Sequence, residues 1–328
     1  MNLPKVIFST HKLHPDVTRD LTTLGDYRVA SAPTPEAILN ESAGAEIIVV
    51  RARIAPEIIE REAGLMACVR HGAGLDMIPV EVATKAGVLV ANVPGANATT
   101  VAEHAIWSAL ALLRKYPVVN ADLRKQGWEA GRAHSDHGRE LSGRCIGILG
   151  VGNIGASVAR IAQHGFGCKV IAMTRTPDNL PDDIEAVSFD ALLARSDVLM
   201  LCCPLTDETR GIVSADAIAK MKPGAVLINV SRGPVTDEAA LIVALSSGHL
   251  GGAAVDVFGT HPLPQDHPFF ELPNVVLTPH MAGITQESML RMGQGVVVEI
   301  RRILAGQRPE NFCNPEVWNT YCKRFDRT

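Results

Sequence analysis

One short stretch of this chain, Gly150-Val151-Gly152-Asn153-Ile154-Gly155, has residue types and spacing that suit ligand chemistry. The first glycine permits a tight turn, the second lets backbone approach an anion, and the third lets a helix pack closely on a strand. A pyrophosphate can then rest on N–H groups at the positive end of that helix. Glycine is common and the pattern is short, so its setting decides its meaning. Here it follows an apolar strand pattern, Ile146-Gly147-Ile148-Leu149, and opens a helical one, Ala156–Ala162. That is the setting of a dinucleotide-binding turn; the alternative is a glycine-rich turn that holds nothing. About 20 residues further on, an acidic residue is expected to bind a ribose 2′-hydroxyl. The slot falls on Thr174, Arg175 follows at once, and no acid comes before Asp178. A neutral hydroxyl beside a guanidinium suits a 2′-phosphate, which would repel a carboxylate. The reading therefore favours NADP(H) over NAD(H). Its rival has Arg175 directed to solvent and stacked on adenine.

The elements that must position such a turn are visible in the pattern around it. Among 328 residues, 47% are hydrophobic and only 4% aromatic, so the core is built from Ala, Val, Ile and Leu, which suits βα units. Single cores stop growing at about 250–300 residues, so two domains are expected. Strand patterns lie at Lys5–Ser9, Tyr27–Ala30, Ile47–Val50, Met66–Val69 and Val88–Val93. Helical patterns alternate with them, and Thr34-Pro35 and Ala55-Pro56 put proline at a first helical position. A long helix is predicted over Thr99–Lys115, then a polar, irregular stretch, Pro117–Glu140. A second series has six strands, Cys145–Leu149, Lys169–Met173, Val198–Cys203, Ala225–Val230, Ala253–Phe258 and Val275–Thr278, a complete dinucleotide-binding sheet. Phe258–Pro273 holds four prolines and reads as a loop; a last long helix spans Thr285–Leu304. The expected fold is α/β, with two doubly wound parallel-sheet domains. A Rossmann cofactor domain, 99–285, is inserted into a flavodoxin-like domain made of 1–98 and 286–328.

Several classes are excluded or disfavoured. The net charge of -4 leaves no global basic field, which argues against nucleic acid as the main partner. No apolar run approaches the roughly 18–20 residues needed to span a bilayer, and Met1–Phe8 lacks the layout of a signal peptide. Seven scattered cysteines without a CxxC pair read as reduced, cytosolic thiols. Eleven histidines without HxxxH or HExxH spacing give no metal site.

Further segments stand near strand ends, where ligands of open α/β sheets bind: Asn229-Val230-Ser231-Arg232-Gly233, Val255-Asp256-Val257-Phe258 and Leu277-Thr278-Pro279-His280-Met281-Ala282-Gly283. With Val93-Pro94-Gly95-Ala96-Asn97 and Val101-Ala102-Glu103-His104, they resemble the D-isomer-specific 2-hydroxyacid dehydrogenases, a family that includes phosphoglycerate dehydrogenases and glyoxylate/hydroxypyruvate reductases. The resemblance runs from the Gly72–Asp76 loop to about Asn314-Pro315-Glu316. It implies hydride transfer between a nicotinamide and C2 of a small 2-oxo or 2-hydroxy acid. It implies His280 as the acid/base for the C2 oxygen and Arg232 as the cation that holds the carboxylate and polarises the carbonyl. It places backbone N–H groups of Asn153 and Ile154 at the pyrophosphate. Val101, Cys203, Pro204, Val230, Asp256 and Gly283 are placed around the cofactor, with Asp256 at its nicotinamide end.

The loop Arg70-His71-Gly72-Ala73-Gly74-Leu75-Asp76 follows a strand of the first domain, and its glycines can turn N–H groups toward an anion. By resemblance Ala73 and Gly74 hold the substrate carboxylate, and Arg51 and Arg70 sit where a second anionic group is favoured. The alternative for these arginines is a solvated surface. The family also usually carries a Glu five residues after the aspartate of Asp-Val-Phe; here that position is His261. An imidazole can orient His280 but brings no negative charge to stabilise an imidazolium, so reduction should fall off at lower pH than in the family. The resemblance further implies a homodimer, and no regulatory domain is expected after Asn314-Pro315. A second function class stays open, a dinucleotide-sensing or co-repressor-like relative with weak catalysis, supported by the His261 departure alone.

Overall fold

The structure is a computed structural model that describes residues 5–326. The chain divides into two compact units, Met1–Asn97 with Ile284–Thr328 (unit 1) and Ala98–Gly283 (unit 2).

Unit 1 is built on five strands: β1 Val6–Ser9, β2 Asp26–Val29, β3 Ile47–Val50, β4 Ala67–Arg70 and β5 Leu89–Ala91. All pair in parallel, in the order β2-β1-β3-β4-β5. This is the flavodoxin-like winding, whose strand order reverses between β1 and β3. Strand β3 is buried at every position, as a central strand covered on both faces must be. One face carries Val17, Leu21 and, from helix Gln286–Leu304, Val296, Ile300 and Ile303; the other carries Ile38, Ile58 and Ile59. The last long helix is therefore half the cover of this sheet. Its start is set by a capping box in which Thr285 and Ser288 exchange side-chain-to-backbone hydrogen bonds. The proline-led helix starts occur where the sequence put them. Thr34 accepts from Ala37 N–H ahead of Pro35, and helix Pro56–Arg61 begins after Ala55.

Unit 2 has seven parallel strands: β6 Cys145–Leu149, β7 Lys169–Met173, β8 Glu185–Ala186, β9 Val198–Leu201, β10 Val226–Asn229, β11 Gly252–Val255 and β12 Val275–Leu277. Their order is β12-β11-β10-β9-β6-β7-β8. Read from the far edge, β8-β7-β6-β9-β10-β11 is the Rossmann order 3-2-1-4-5-6, and β12 extends it. The sheet thus has one strand more than the six expected. The two-residue β8, Glu185-Ala186, is too short and too exposed to leave a hydrophobic signature. Helix Ala98–Leu113 and helix Asn153–Phe166 cover one face; helices Phe189–Arg195, Ala215–Ala219 and Glu238–Ser246 cover the other.

The stretch Pro117–Glu140 departs from expectation. It is mostly helical, with Tyr116–Gln126, Trp128–Arg132 and a 3₁₀ turn at Ser135–His137. Its helices bury almost nothing, so no apolar stripe marks them, and local pairs such as Arg124 Nε on Asn120 and Gln126 on Asp122 support them instead. Within the predicted loop Phe258–Pro273, only a 3₁₀ turn forms, at Pro268–Glu271.

Candidate active site

In unit 2 the strand order reverses between β6 and β9, and the glycine motif follows β6 there. Gly150 has φ +92°, and a Cβ on it would stand 2.7 Å from Cys203 Cα, in the turn after β9. A Cβ on Gly155 would stand 2.3 Å from the Gly150 carbonyl oxygen. Those two glycines are required by the protein's own packing. Gly152 is different: φ is −95° and no atom lies within 4 Å of where its Cβ would be. Helix Asn153–Phe166 starts on Gly152 with no side chain capping its first N–H groups. An uncapped helix start beside an open, Cβ-free cradle suits a pyrophosphate.

At the end of β7, Thr174 is half-buried and its hydroxyl accepts from Thr176 N–H at 3.4 Å. Arg175 is exposed, and its charge contributes to holding the Glu208 carboxyl below its usual range, after hydrogen bonds from Thr206 and the Glu208 backbone. Cys203 and Val230 are buried at the ends of β9 and β10, Pro204 is exposed, and Val101 is buried in helix Ala98–Leu113.

Three neighbouring strands, β10, β11 and β12, end in Arg232, Asp256 and His280. The turn carrying Arg232 is built by Asn229. Its carboxamide oxygen accepts from Ser231 N–H (3.0 Å) and Ser231 Oγ (2.9 Å), and its Nδ2 donates to the Arg232 carbonyl at 3.1 Å. The Arg232 guanidinium donates to the Ser231 carbonyl at 2.7 Å. A Cβ on Gly233 would stand 2.0 Å from the Phe258 carbonyl carbon, so only glycine lets this turn lie against the Phe258–His261 loop.

Asp256 is buried and accepts three hydrogen bonds from one short segment. Thr278 Oγ1 donates to Oδ1 at 2.6 Å, Met281 N–H to Oδ1 at 2.8 Å, and Ala282 N–H to Oδ2 at 3.0 Å. Its backbone carbonyl accepts from His280 N–H at 2.8 Å. The sequence reading put Asp256 at the nicotinamide; its carboxylate is engaged with the turn on both sides of His280. That clamp matters because His280 has φ +54°, a left-handed conformation that costs a residue with a Cβ roughly 1–2 kcal/mol. His280 is exposed. The His261 ring lies with its centroid 5.8 Å from that of His280, at 43°. Phe258 N–H donates to His261 Nε2 at 3.4 Å, so that nitrogen serves as an acceptor. Gly283 follows the clamp and is half-buried.

Thr278 and His104 stand far apart in the sequence, and no local pattern joins them. The structure puts His104 Nε2 3.3 Å from Thr278 Oγ1. The part played by Asn229 is equally hidden, since nothing in a sequence tells which polar residue will be buried beneath a turn.

In unit 1, Gly72 has φ +131°, which only glycine adopts at ease. The loop is tied on both sides, Asn92 Nδ2 donating to the Ala73 carbonyl at 2.7 Å and Val93 N–H to the Gly72 carbonyl at 2.9 Å. Arg70 turns inward onto backbone, with Nε on the Gly74 carbonyl (3.0 Å) and Nη1 on those of Val50 (3.0 Å) and His71 (2.5 Å). Read from the sequence as a substrate cation, it braces the loop. Arg51 follows β3 and donates to the Lys12 carbonyl at 2.8 Å, while its N–H is held by Thr10 Oγ1. His71 is buried, and Nε2 has no hydrogen-bond partner. Burial first, then the charges of Arg51 and Arg70, push its pKa down to about 3. The same causes lower His11, which follows β1.

Comparison with known proteins gives the family. Residues 106–282 match the family described as D-isomer specific 2-hydroxyacid dehydrogenase, NAD binding domain. A D-3-phosphoglycerate dehydrogenase of Mycobacterium bovis is 38% identical over 313 residues, covering 94% of this chain and 58% of that protein. A glyoxylate reductase of Korarchaeum cryptofilum is 37% identical over 267 residues, 80% of each chain. A solved NADPH-dependent glyoxylate/hydroxypyruvate reductase of Sinorhizobium meliloti superposes with a TM-score of 0.84 at 27% identity, over 95% of this chain and 99% of that one. The chain belongs to the D-isomer-specific 2-hydroxyacid dehydrogenase family. It spans about 58% of the length of the phosphoglycerate dehydrogenase it matches. Among the described residues no helix is long and apolar enough to cross a membrane, and no cluster of metal-ligating side chains occurs.

Proposed function

We propose that this protein reduces a small 2-oxo acid to the D-2-hydroxy acid, or runs the reverse, with a nicotinamide dinucleotide and a preference for NADPH. The observation that carries the reading is the set of strand ends on β10, β11 and β12. A cation, a clamping carboxylate and an exposed histidine in a strained turn lie on three adjacent strands.

The dinucleotide fits the residues present. The Gly152 cradle and the N–H groups of Asn153 and Ile154 would take the pyrophosphate, and Thr174 with Arg175 a 2′-phosphate. Val101, Cys203, Pro204, Val230 and Gly283 would wall the rest. When bound, the nicotinamide supplies or accepts the hydride at C2. Arg232 pairs with the substrate carboxylate and draws electron density from the carbonyl oxygen. His280 gives its proton to the C2 oxygen during reduction and takes it back during oxidation. His261 stands where relatives usually carry a Glu and orients the His280 ring with an imidazole in place of a carboxylate. In unit 1, Ala73 and Gly74 are the backbone donors for an anion, since among the described residues their N–H groups meet no acceptor. Arg51 adds charge near them, and Arg70 keeps their loop in shape.

The substrate class we favour spans glyoxylate, hydroxypyruvate and phosphoglycerate-like acids, following the names of the relatives. We also infer a homodimer. Trp107, Tyr116, Leu123 and Trp128 are all exposed within one stretch of unit 2, an apolar surface that a second copy would cover. All seven cysteines are unpaired thiols, in keeping with a reducing cytoplasm.

The test is a panel of 2-oxo acids with NADPH and NADH, followed by nicotinamide absorbance. Turnover on at least one acid, with a lower KM for NADPH, is expected. Turnover with a clear NADH preference would remove the Arg175 reading alone. Tight cofactor binding without turnover on any acid would replace the enzyme with a dinucleotide sensor.

A further inference from the structure

His104 lies in helix Ala98–Leu113, away from the segment that carries the reacting histidine in sequence, yet its Nε2 reaches Thr278 Oγ1 at 3.3 Å. The direction of that bond follows from proton counting. The Thr278 hydroxyl has one proton, and the 2.6 Å contact to Asp256 Oδ1 takes it, because an ionised carboxylate only accepts. Thr278 Oγ1 is therefore the acceptor toward His104, and His104 must carry its proton on Nε2. Burial lowers the pKa of His104, and the charge of Asp256 opposes that only in part, so the ring is neutral at pH 7 and Nε2–H is the tautomer held. The ring centroid lies 5.5 Å from that of Trp107, at 49°.

A chain of donors thus runs from His104 to Thr278 to Asp256. The same carboxylate holds Met281 and Ala282 N–H on the far side of His280. His280 itself sits in the left-handed region, which persists only where the surroundings over-determine it.

We propose that His104 is a positioning residue for the acid/base His280, acting through Thr278 and Asp256 to keep the strained 278–282 turn in its working conformation. It touches neither substrate nor cofactor in this role. Without its N–H, Thr278 loses the donor that directs its hydroxyl at Asp256, and the turn has a route to relax. The proposal rests on the reading of His280 as the acid/base.

The experiment compares His104→Gln, whose amide N–H can stand where Nε2–H stood, with His104→Leu, in the full-length protein. Two readouts are taken: kcat and KM on an acid the wild type reduces, and deuterium uptake of the segment 278–283. For His104→Leu, kcat should fall by about tenfold or more, with KM for the cofactor within roughly twofold and faster exchange of the segment. His104→Gln should recover most of both. A Leu variant with wild-type kcat and exchange overturns the proposal, and so does a Gln variant no better than Leu. Should His104→Leu fail to fold, the near-isosteric Thr278→Val, alone and with His104→Ala, decides. Threonine's role as the link predicts that adding His104→Ala changes nothing further, and additive losses refute it. Were no acid turned over by the wild type, the functional reading would fall, while the exchange arm would still confirm or refute the hold of His104 on the turn.

Discussion

His71, at the carboxyl edge of the five-stranded sheet, and His280, at that of the seven-stranded sheet, are the same side chain in opposite surroundings. His71 is buried among guanidinium charges, with Nε2 lacking any partner and its pKa down near 3. His280 is exposed, set in a left-handed turn and bracketed by bonds to one buried carboxylate. Both edges follow the same rule, that ligands gather where parallel strands end. They differ in what the neighbours do to a proton. Around His71 burial first, and then the positive charge of Arg51 and Arg70, excludes one, which suits the proposed anion-holding edge. Around His280 the Asp256 carboxylate accepts from backbone and hydroxyl donors of the turn, so the backbone is held while the side chain stays exposed. On the proposed function, one edge binds and the other reacts.

The largest expected effect tests the reacting edge. His280→Gln should lower kcat by roughly a hundred- to ten-thousandfold with little change in Tm, because the lost function is proton transfer and the ring is exposed. A His71→Leu variant of equal kinetic effect would break the comparison. Next come the glycines, which separate what the fold needs from what the ligand needs. Gly155→Ala drives a Cβ to within 2.3 Å of a backbone oxygen and should cost about 1–3 kcal/mol in chemical denaturation. Gly152→Ala meets no protein atom within 4 Å, so it should cost under about 1 kcal/mol yet weaken dinucleotide binding by roughly tenfold or more. Equal stability losses at the two positions would remove the case for an anion cradle. A smaller effect is expected from His261→Glu, which puts a carboxylate in place of a ring whose centroid lies 5.8 Å from that of His280. The pH below which oxidation falls away and above which reduction falls away should move upward by about one unit. An unmoved profile would mean that His261 is not the partner of that ring.

Much of this is legible in the sequence, and the limits have physical causes. The strands of both sheets announce themselves as short apolar runs because both faces are covered, and β3 is buried throughout. Gly150 and Gly155 were legible because packing of strand, turn and helix leaves no room for a Cβ. The helices of Tyr116–Arg132 were not, since a helix that buries no stripe has no period to read. Arg70 shows a different limit. A charge at a strand end looks like a ligand group, and only the placed guanidinium reveals three backbone carbonyls around it. The roles of Thr278 and His104 needed a contact across 174 positions of sequence, which no local pattern carries.

The smallest effect reads the binding edge through stability. Above pH 6.5, His71 is neutral in both the folded and the unfolded chain and contributes no pH dependence. As pH falls below 6.5, the unfolded chain takes up a proton that the folded chain refuses until about pH 3. The unfolded state then binds more protons, so stability declines as pH drops, by roughly 1.4 kcal/mol per unit from this one group. Chemical denaturation of wild type and His71→Leu at pH 7, 6 and 5 isolates the term, since other groups common to both chains cancel. The two curves should run level near pH 7 and diverge below 6, the wild type losing stability faster. Parallel curves would mean that His71 accepts its proton in the fold as readily as outside it. Neither burial nor the guanidiniums of Arg51 and Arg70 would then act on its proton, and the electrostatic contrast between the two sheet edges would vanish.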